Sequence, residues 1–140
     1  MSLTRRNALA LGSASFVVTL MPLHAFAAKD ETMAVINSFT GGAAVTNGGI
    51  NFTTPEIAEN GNTVPIKFSA PGAKRVMILA DGNPTPGVGL FNFGKLSDAS
   101  GSTRIRLAGT QDVIAVAEMA DVSYVQVANT VKVTIGGCGG

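Results

Sequence analysis

Alternation of apolar and polar residues after Ile50 constrains the fold more than any other feature of the chain. The clearest stretch is STRIRLAGTQDVIAVAEMADVSYVQVANTVKVTI, residues 102–135, in which side chains two residues apart form one apolar face. A period of two is typical of β-strands with one buried face. Turn-forming residues interrupt the pattern at 59–62, 81–87, 108–111 and 121–122. We therefore predict about seven short strands.

Short strands without intervening helices predict an all-β fold, an antiparallel β-sandwich of immunoglobulin-like type over residues 50–135. The stretch RVMILA, residues 75–80, is apolar on both faces and is predicted to be a central strand. Residues 28–49 are predicted to contain one short helix and a glycine-rich connection. Asp30 is the predicted N-cap of this helix, which ends at Phe39 before a glycine pair, and the connection covers residues 41–49.

The first 27 residues have the organisation of an export signal. A short basic region ends in Arg5 and Arg6, and an apolar, alanine-rich run covers residues 8–20. This run is shorter than the roughly 20 residues that span a bilayer, which favours a cleaved signal over the alternative of a membrane anchor. The paired arginines resemble a twin-arginine export signal.

A signal-peptidase cleavage box follows the apolar run, with Ala25 and Ala27 as its small residues. We expect the mature chain to begin near Ala28 and to have no membrane anchor. Cleavage would also remove His24, the single histidine of the chain. Without imidazole the mature chain cannot form a Cys–His nucleophile pair or a Cys/His zinc site, so we expect no catalytic residues and no metal.

The charge of the mature chain excludes partners that need a basic field. The full chain has ten Lys and Arg against nine Asp and Glu, and loss of Arg5 and Arg6 leaves eight against nine, a net charge of −1. We therefore expect binding neither to nucleic acid nor to an anionic membrane. Arg104 and Arg106 share the polar face of one strand. We interpret them as part of a solvated face, with an anion site as the alternative.

The C-terminal five residues, 136–140, contain the single cysteine. Cys138 is flanked by Gly136, Gly137, Gly139 and Gly140. Glycine loses more conformational freedom on ordering than other residues, so we predict a flexible arm with an extended reach of roughly 17 Å. Small neighbours would let the thiol enter a narrow channel in another protein. No predicted neighbour activates the thiol, which favours an attachment site used by other enzymes over a nucleophile of this chain.

Three functions remain open from the residues alone. The first is a carrier with a covalent site at Cys138. The second is an exported immunoglobulin-like binding module that dimerises through its single cysteine. The third, a thiol-dependent enzyme, is disfavoured because the mature chain has no histidine.

The sequence resembles the SoxY family, the sulfur-carrying subunits of the bacterial Sox thiosulfate-oxidation system. The resemblance covers nearly the whole precursor and is most specific in the C-terminal VKVTIGGCGG, residues 131–140. Three internal stretches also carry it: PEIAENGNTVP at 55–65, ILADGNPTP at 78–86, and STRIRLAGTQDVIAVAEMAD at 102–121.

The resemblance implies a periplasmic carrier that has no active site or cofactor of its own and holds thiosulfate-derived intermediates covalently on Cys138. In this family a c-type cytochrome joins thiosulfate to the cysteine as an S-thiosulfonate. A hydrolase with a dinuclear manganese site then releases sulfate and leaves a persulfide. A molybdenum–haem sulfur dehydrogenase, where present, oxidises the remaining sulfur.

The resemblance also implies a heterodimer with SoxZ, a second immunoglobulin-like subunit that has no signal of its own. Export in the folded state would allow the two subunits to cross the membrane together, which fits Arg5 and Arg6. The predicted helix and an open edge of the sandwich are the candidate surfaces for this partner.

Overall fold

A computed structural model describes the backbone of residues 23–136 and the side chains of residues 27–136. This part of the chain contains one helix and nine strands. They are, in chain order, α1 (Leu23–Thr40), β1 (Val45–Asn47), β2 (Asn51–Thr53), β3 (Ile57–Ala58), β4 (Val64–Ser69), β5 (Ala73–Ala80), β6 (Gly87–Asn92), β7 (Ser100–Ile105), β8 (Gln111–Met119) and β9 (Tyr124–Val133).

The nine strands form two sheets that enclose one apolar core. The larger sheet has the order β1-β9-β8-β5-β6, with β3 also paired to β9, and the smaller sheet has the order β2-β4-β7. Ile66 and Phe68 of the smaller sheet pack in the same buried cluster as Val76, Ile78 and Ala115 of the larger sheet. The prediction of an all-β, immunoglobulin-like sandwich is therefore confirmed.

Burial follows the period of two that the sequence predicts. In β4, Val64, Ile66 and Phe68 are buried while Pro65 and Lys67 are exposed. β5 differs because it lies between β8 and β6 and is buried from Val76 through Ala80. One face of β5 is covered by the smaller sheet and the other by α1, which explains why RVMILA is apolar on both faces.

Two strand pairs depart from the predicted antiparallel arrangement. β1 and β3 both pair with β9 in parallel, whereas the other neighbours are antiparallel. β1 lies within residues 41–49, which the sequence predicts to be only a connection. Both strands are too short, at three and two residues, to show an alternating pattern. Because β9 has ten residues, β1 and β3 can pair with different parts of it along one edge while β8 pairs with the other edge.

The helix is longer than predicted. α1 begins at Leu23, so Asp30 lies inside the helix and is not its N-cap. Three alanines in LHAFAAK, residues 23–29, extend the helix towards the N-terminus, since alanine has the highest helix propensity. The helix ends at Thr40, and Gly41 and Gly42 adopt positive φ angles of 64° and 83° directly after it. Within the described residues, no helix is long and apolar enough to cross a membrane.

α1 is held against the larger sheet by its apolar side. Ile36 packs with Met77, Leu79 and Val116, which point away from the sandwich core. Phe39 makes an edge-to-face contact with Tyr124, with a centroid distance of 5.9 Å. These contacts place α1 on the outer face of the sandwich.

A charged pair adds to this contact. The guanidinium carbon of Arg75 lies 4.8 Å from the centroid of the Phe39 ring, and the same guanidinium forms an ion pair with Glu118 of β8. A cation over an aromatic face contributes about 0.5–1 kcal/mol at exposed sites. Arg75 therefore links α1 to two strands of the larger sheet.

We predict that Ile36→Ala destabilises the full chain by about 2–4 kcal/mol, because truncation leaves a cavity between α1 and β5. Ile36 is 5% exposed, whereas Met33 on the same helix is 54% exposed. Met33→Ala is therefore the matched control and should change stability by less than about 0.5 kcal/mol. Urea unfolding measures both effects. Equal midpoints for the two variants would contradict the docking of α1.

Candidate functional site

The predicted site residues fall largely outside the described part of the chain. Arg5 and Arg6 precede it, and Gly137, Cys138, Gly139 and Gly140 follow it, so their assigned roles stay predictions. Ala25 and Ala27 lie in α1, and cleavage after Ala27 would remove the first five residues of this helix. Thr32 would keep its hydrogen bond to the Ala28 carbonyl oxygen, at 3.0 Å.

The chain is fixed by hydrogen bonds for two residues beyond the end of β9. The Thr134 amide donates to the Ala58 carbonyl oxygen at 3.1 Å, and its hydroxyl donates to the Glu59 carbonyl oxygen at 3.0 Å. The Gly61 amide then donates to the Ile135 carbonyl oxygen at 2.8 Å. The loop that precedes β4 thus holds the base of the C-terminal segment against the sandwich.

Gly136 has a role that differs from the one predicted for it. A Cβ atom built on Gly136 would lie 2.5 Å from the carbonyl oxygen of Ala108, which is closer than real Cβ atoms approach. Only a residue without a side chain can therefore follow this path without displacing backbone. The sequence predicts that Gly136 gives reach, whereas the structure shows that Gly136 lets the chain pass against the loop after β7.

Two amide side chains hold the loop against which Gly136 lies. Asn83 accepts a hydrogen bond from the Ala108 amide at 2.9 Å through Oδ1 and donates to the Arg106 carbonyl oxygen at 2.8 Å through Nδ2. Gln111 is buried and donates from Nε2 to Asn83 Oδ1 and to the Gly109 carbonyl oxygen, both at 3.0 Å. These bonds fix residues 106–109.

The hydrogen-bond network of Asn83 and Gln111 extends to both neighbouring loops. Gln111 Oε1 accepts from the Gly82 amide at 2.8 Å, and the Leu107 amide donates to the Gly61 carbonyl oxygen at 2.8 Å. A Cβ atom on Gly82 would lie 2.9 Å from Gln111 Cβ, so glycine is required for this contact as well. Segments around residues 60, 83, 108 and 135 therefore meet at one end of the sandwich.

Sequence reasoning missed Asn83 and Gln111 as positioning residues. Asn83 reads as an ordinary turn residue between Gly82 and Pro84, and Gln111 reads as the start of a strand. The available signal was indirect: the four stretches that resemble the SoxY family each supply part of this end of the sandwich. Within the described side chains, no group of three or more His, Cys, Asp or Glu residues could hold a metal ion.

Comparison with protein families gives a match over most of the chain. The family model described as "Sulfur oxidation protein SoxY" matches residues 36–138, from α1 through the cysteine. The chain belongs to the SoxY family. This membership confirms the resemblance predicted from the sequence. The matched SoxY region includes every strand of both sheets and the loops that hold Gly136.

Solved structures agree with this assignment. The sulfur carrier protein SoxY from Chlorobium limicola f thiosulfatophilum is 26% identical, with a TM-score of 0.68 over 75% of this chain and 93% of that chain. A superoxide reductase (neelaredoxin) from Ignicoccus hospitalis is 12% identical, with a TM-score of 0.54 over 61% of this chain and 80% of that chain. The second likeness shows the fold alone. Among curated proteins, none matches this sequence.

We predict that Asn83→Ala destabilises the chain by about 1–3 kcal/mol, because it leaves the Ala108 amide and one Gln111 donor without their acceptor. The control is Asn92→Ala, which truncates an exposed asparagine at the end of the edge strand β6 and should have an effect below about 0.5 kcal/mol. Urea unfolding gives the stabilities, and amide hydrogen exchange should show faster exchange at Ala108. Unchanged exchange at Ala108 would contradict the role of Asn83 in holding residues 106–109.

Proposed function

We propose that this SoxY family member is a sulfur carrier in thiosulfate oxidation that holds its substrate covalently on Cys138 and has no active site of its own. The observation that carries the proposal is the family match, which extends through the single cysteine of the chain at residue 138. The fixed path of the chain through Ile135 and Gly136 supports it, because a covalent carrier needs a defined point from which its attachment residue extends.

The chemistry of loading requires an external oxidant. When the Cys138 sulfur is joined to the outer sulfur of thiosulfate, one proton and two electrons leave and a cysteine S-thiosulfonate forms. The haem groups of a c-type cytochrome partner would accept the electrons. Water then attacks the sulfonate sulfur, and the adjacent sulfur–sulfur bond breaks. Sulfate is released, and a persulfide remains on Cys138. A manganese hydrolase is the proposed partner for this second step, and a sulfur dehydrogenase is proposed for later oxidation.

A tethered substrate explains why the chain combines a rigid body with a short glycine segment. A substrate that visits several enzymes stays at a raised effective concentration when it is bonded to a protein that each enzyme recognises. The two residues before Cys138 and the two after it are glycines, so the substrate can pass through a narrow opening without side-chain clashes. The sandwich then needs only transient contacts with each enzyme.

The proposal includes an exported, heterodimeric protein. We propose that residues 1–27 direct export to the periplasm and that a SoxZ-like subunit binds the mature chain. Both candidate surfaces for this partner have exposed apolar residues: Met33 on α1, and Val88 and Leu90 on β6. β6 is an edge strand of the larger sheet, so its free backbone groups are open to pairing.

Intact mass spectrometry tests the proposed function. Incubation of the chain with thiosulfate and the cognate c-type cytochrome should add the mass of one thiosulfate, and a thiol reductant should remove it. Cys138→Ser should abolish the mass gain while leaving the urea midpoint unchanged, because the residue lies beyond the last strand. Appearance of a disulfide-linked dimer as the sole product would contradict the carrier and support the alternative of a binding module dimerised through its cysteine.

A further inference from the structure

The outer face of the smaller sheet has a row of positive charges. Arg104 in β7 and Arg106 just beyond it are exposed, while Ile105 and Leu107 between and after them are buried in the core. Lys67 of β4 is exposed on the same face. The sequences of β2, β4 and β7 contain no Asp or Glu, so no carboxylate of these strands neutralises the row.

The strand register places the three cations next to one another. Lys67 lies opposite Ser102, and Arg104 lies opposite Pro65. Lys67 and Arg104 are therefore diagonal neighbours, with about 7–8 Å between their Cα atoms. Arg106 continues the row, because its Cα atom lies about 7 Å beyond that of Arg104 along the extended chain. Such spacing lets several cations act on one anion.

The row leads towards Gly136, the last residue that the structure describes. Arg106 is two residues from Ala108, whose carbonyl oxygen is the close neighbour of Gly136. Cys138 is two residues beyond Gly136, so covalent geometry limits their Cα separation to about 7 Å. The Cα atoms of Arg106 and Ala108 are likewise at most about 7 Å apart. The long side chain of Arg106 can therefore reach a group bonded to Cys138 across the contact between Gly136 and Ala108.

Acidic residues at this end of the sandwich lie mainly elsewhere. Asp81 and Asp112 line a cavity together with Ala28 and Lys29 of α1, which covers the larger sheet. Glu59 lies in the loop beside the segment and removes one unit of charge from the surroundings. Glu56 follows Pro55, which lines a cavity with Lys67, so a carboxylate also lies near that end of the row. Arg104 and Arg106, which are closer to Ala108 in the chain, are therefore the main cations of this surface.

We propose that Lys67, Arg104 and Arg106 form a binding surface for the sulfonate group carried on Cys138, an inference that rests on the proposed carrier function. The S-thiosulfonate ends in a sulfonate, and arginine guanidinium groups bind such oxyanions through paired N–H donors. Loss of sulfate leaves a persulfide without that group. The surface thus binds the sulfonate form of the cargo and has no ligand after hydrolysis. Exposed ion pairs are weak, so the contact is transient.

A permanent sulfonate on Cys138 tests this surface without any Sox enzyme. Sulfonatoethyl methanethiosulfonate converts the thiol to a mixed disulfide that ends in a sulfonate, with methanesulfinate as the leaving group. Methyl methanethiosulfonate gives the matched neutral disulfide. The expected result is a shift of the Arg104 and Arg106 Nε–H signals in ¹⁵N-labelled full chain with the sulfonate label, while Arg75, which is paired with Glu118, stays unchanged.

Equal shifts with both labels, shifts of equal size at Arg75, or no shift at all would each overturn the proposal. The reaction rate of the Cys138 thiol provides a second, independent test of the same surface. Arg104→Gln/Arg106→Gln should lower the ratio of Cys138 reaction rates with anionic dithiobis(nitrobenzoate) and neutral dithiodipyridine by about three- to tenfold at low salt. Lys74→Gln/Lys95→Gln removes the same charge from residues that line a cavity near the start of β5 and should leave the ratio unchanged.

An equal fall of the ratio in both double variants would show an effect of net charge alone and would overturn the surface. Neither readout requires loading by a cytochrome. If Cys138 gains no mass with thiosulfate but the labelled chain shows the expected shifts and rates, the carrier function is refuted and the anion-binding surface is retained. The reverse outcome would refute the surface and keep the carrier.

Discussion

The close approach of Gly136 to the Ala108 carbonyl oxygen determines the path of the chain at the last residue that the structure describes. A side chain at this position would meet backbone at 2.5 Å, and backbone cannot move aside as a flexible side chain can. The position of Ala108 in turn depends on Asn83 and Gln111, since their amide groups bind the loop at Arg106, Ala108 and Gly109. The geometry at the base of the arm is thus set by hydrogen bonds between loops.

This arrangement separates two physical requirements. The sandwich must be stable, and it gains this from an apolar core between the sheets and from α1 packed on the outer face of the larger sheet. In the proposed carrier, Cys138 must be accessible to other proteins, which excludes it from that core. The fixed position of Gly136 beside the smaller sheet meets both requirements, and it sets which surface charges lie within reach of a substrate carried as proposed.

The sequence was informative where a pattern is local and repeated. The alternation of Val64, Ile66 and Phe68 predicted β4, and the doubly apolar RVMILA predicted the central β5. It was misleading where the pattern is short or ambiguous. β1 and β3 have too few residues to alternate, and the alanines before Asp30 suit both a cleavage region and a helix. The sequence pattern therefore predicts a start of α1 that is seven residues too late.

Long-range polar contacts could not be predicted at all. Asn83 and Gln111 are 28 residues apart, and Arg75 and Glu118 are 43 residues apart, so no local spacing links the members of either pair. Each residue also has an ordinary local interpretation, as a turn residue or as a polar position in a strand. Family resemblance identified the segments that meet at the base of the arm, but only the fold shows which atoms bind.

The central claim is that the Cys138 thiol lies outside the sandwich and is open to other proteins. Its reaction rate with a neutral disulfide reagent, measured in native buffer and in denaturing urea, tests this most directly. The account predicts rates that agree within about fivefold once the reagent is corrected for urea, because access does not require unfolding. A native rate lower by several orders of magnitude, limited by global unfolding, would contradict it.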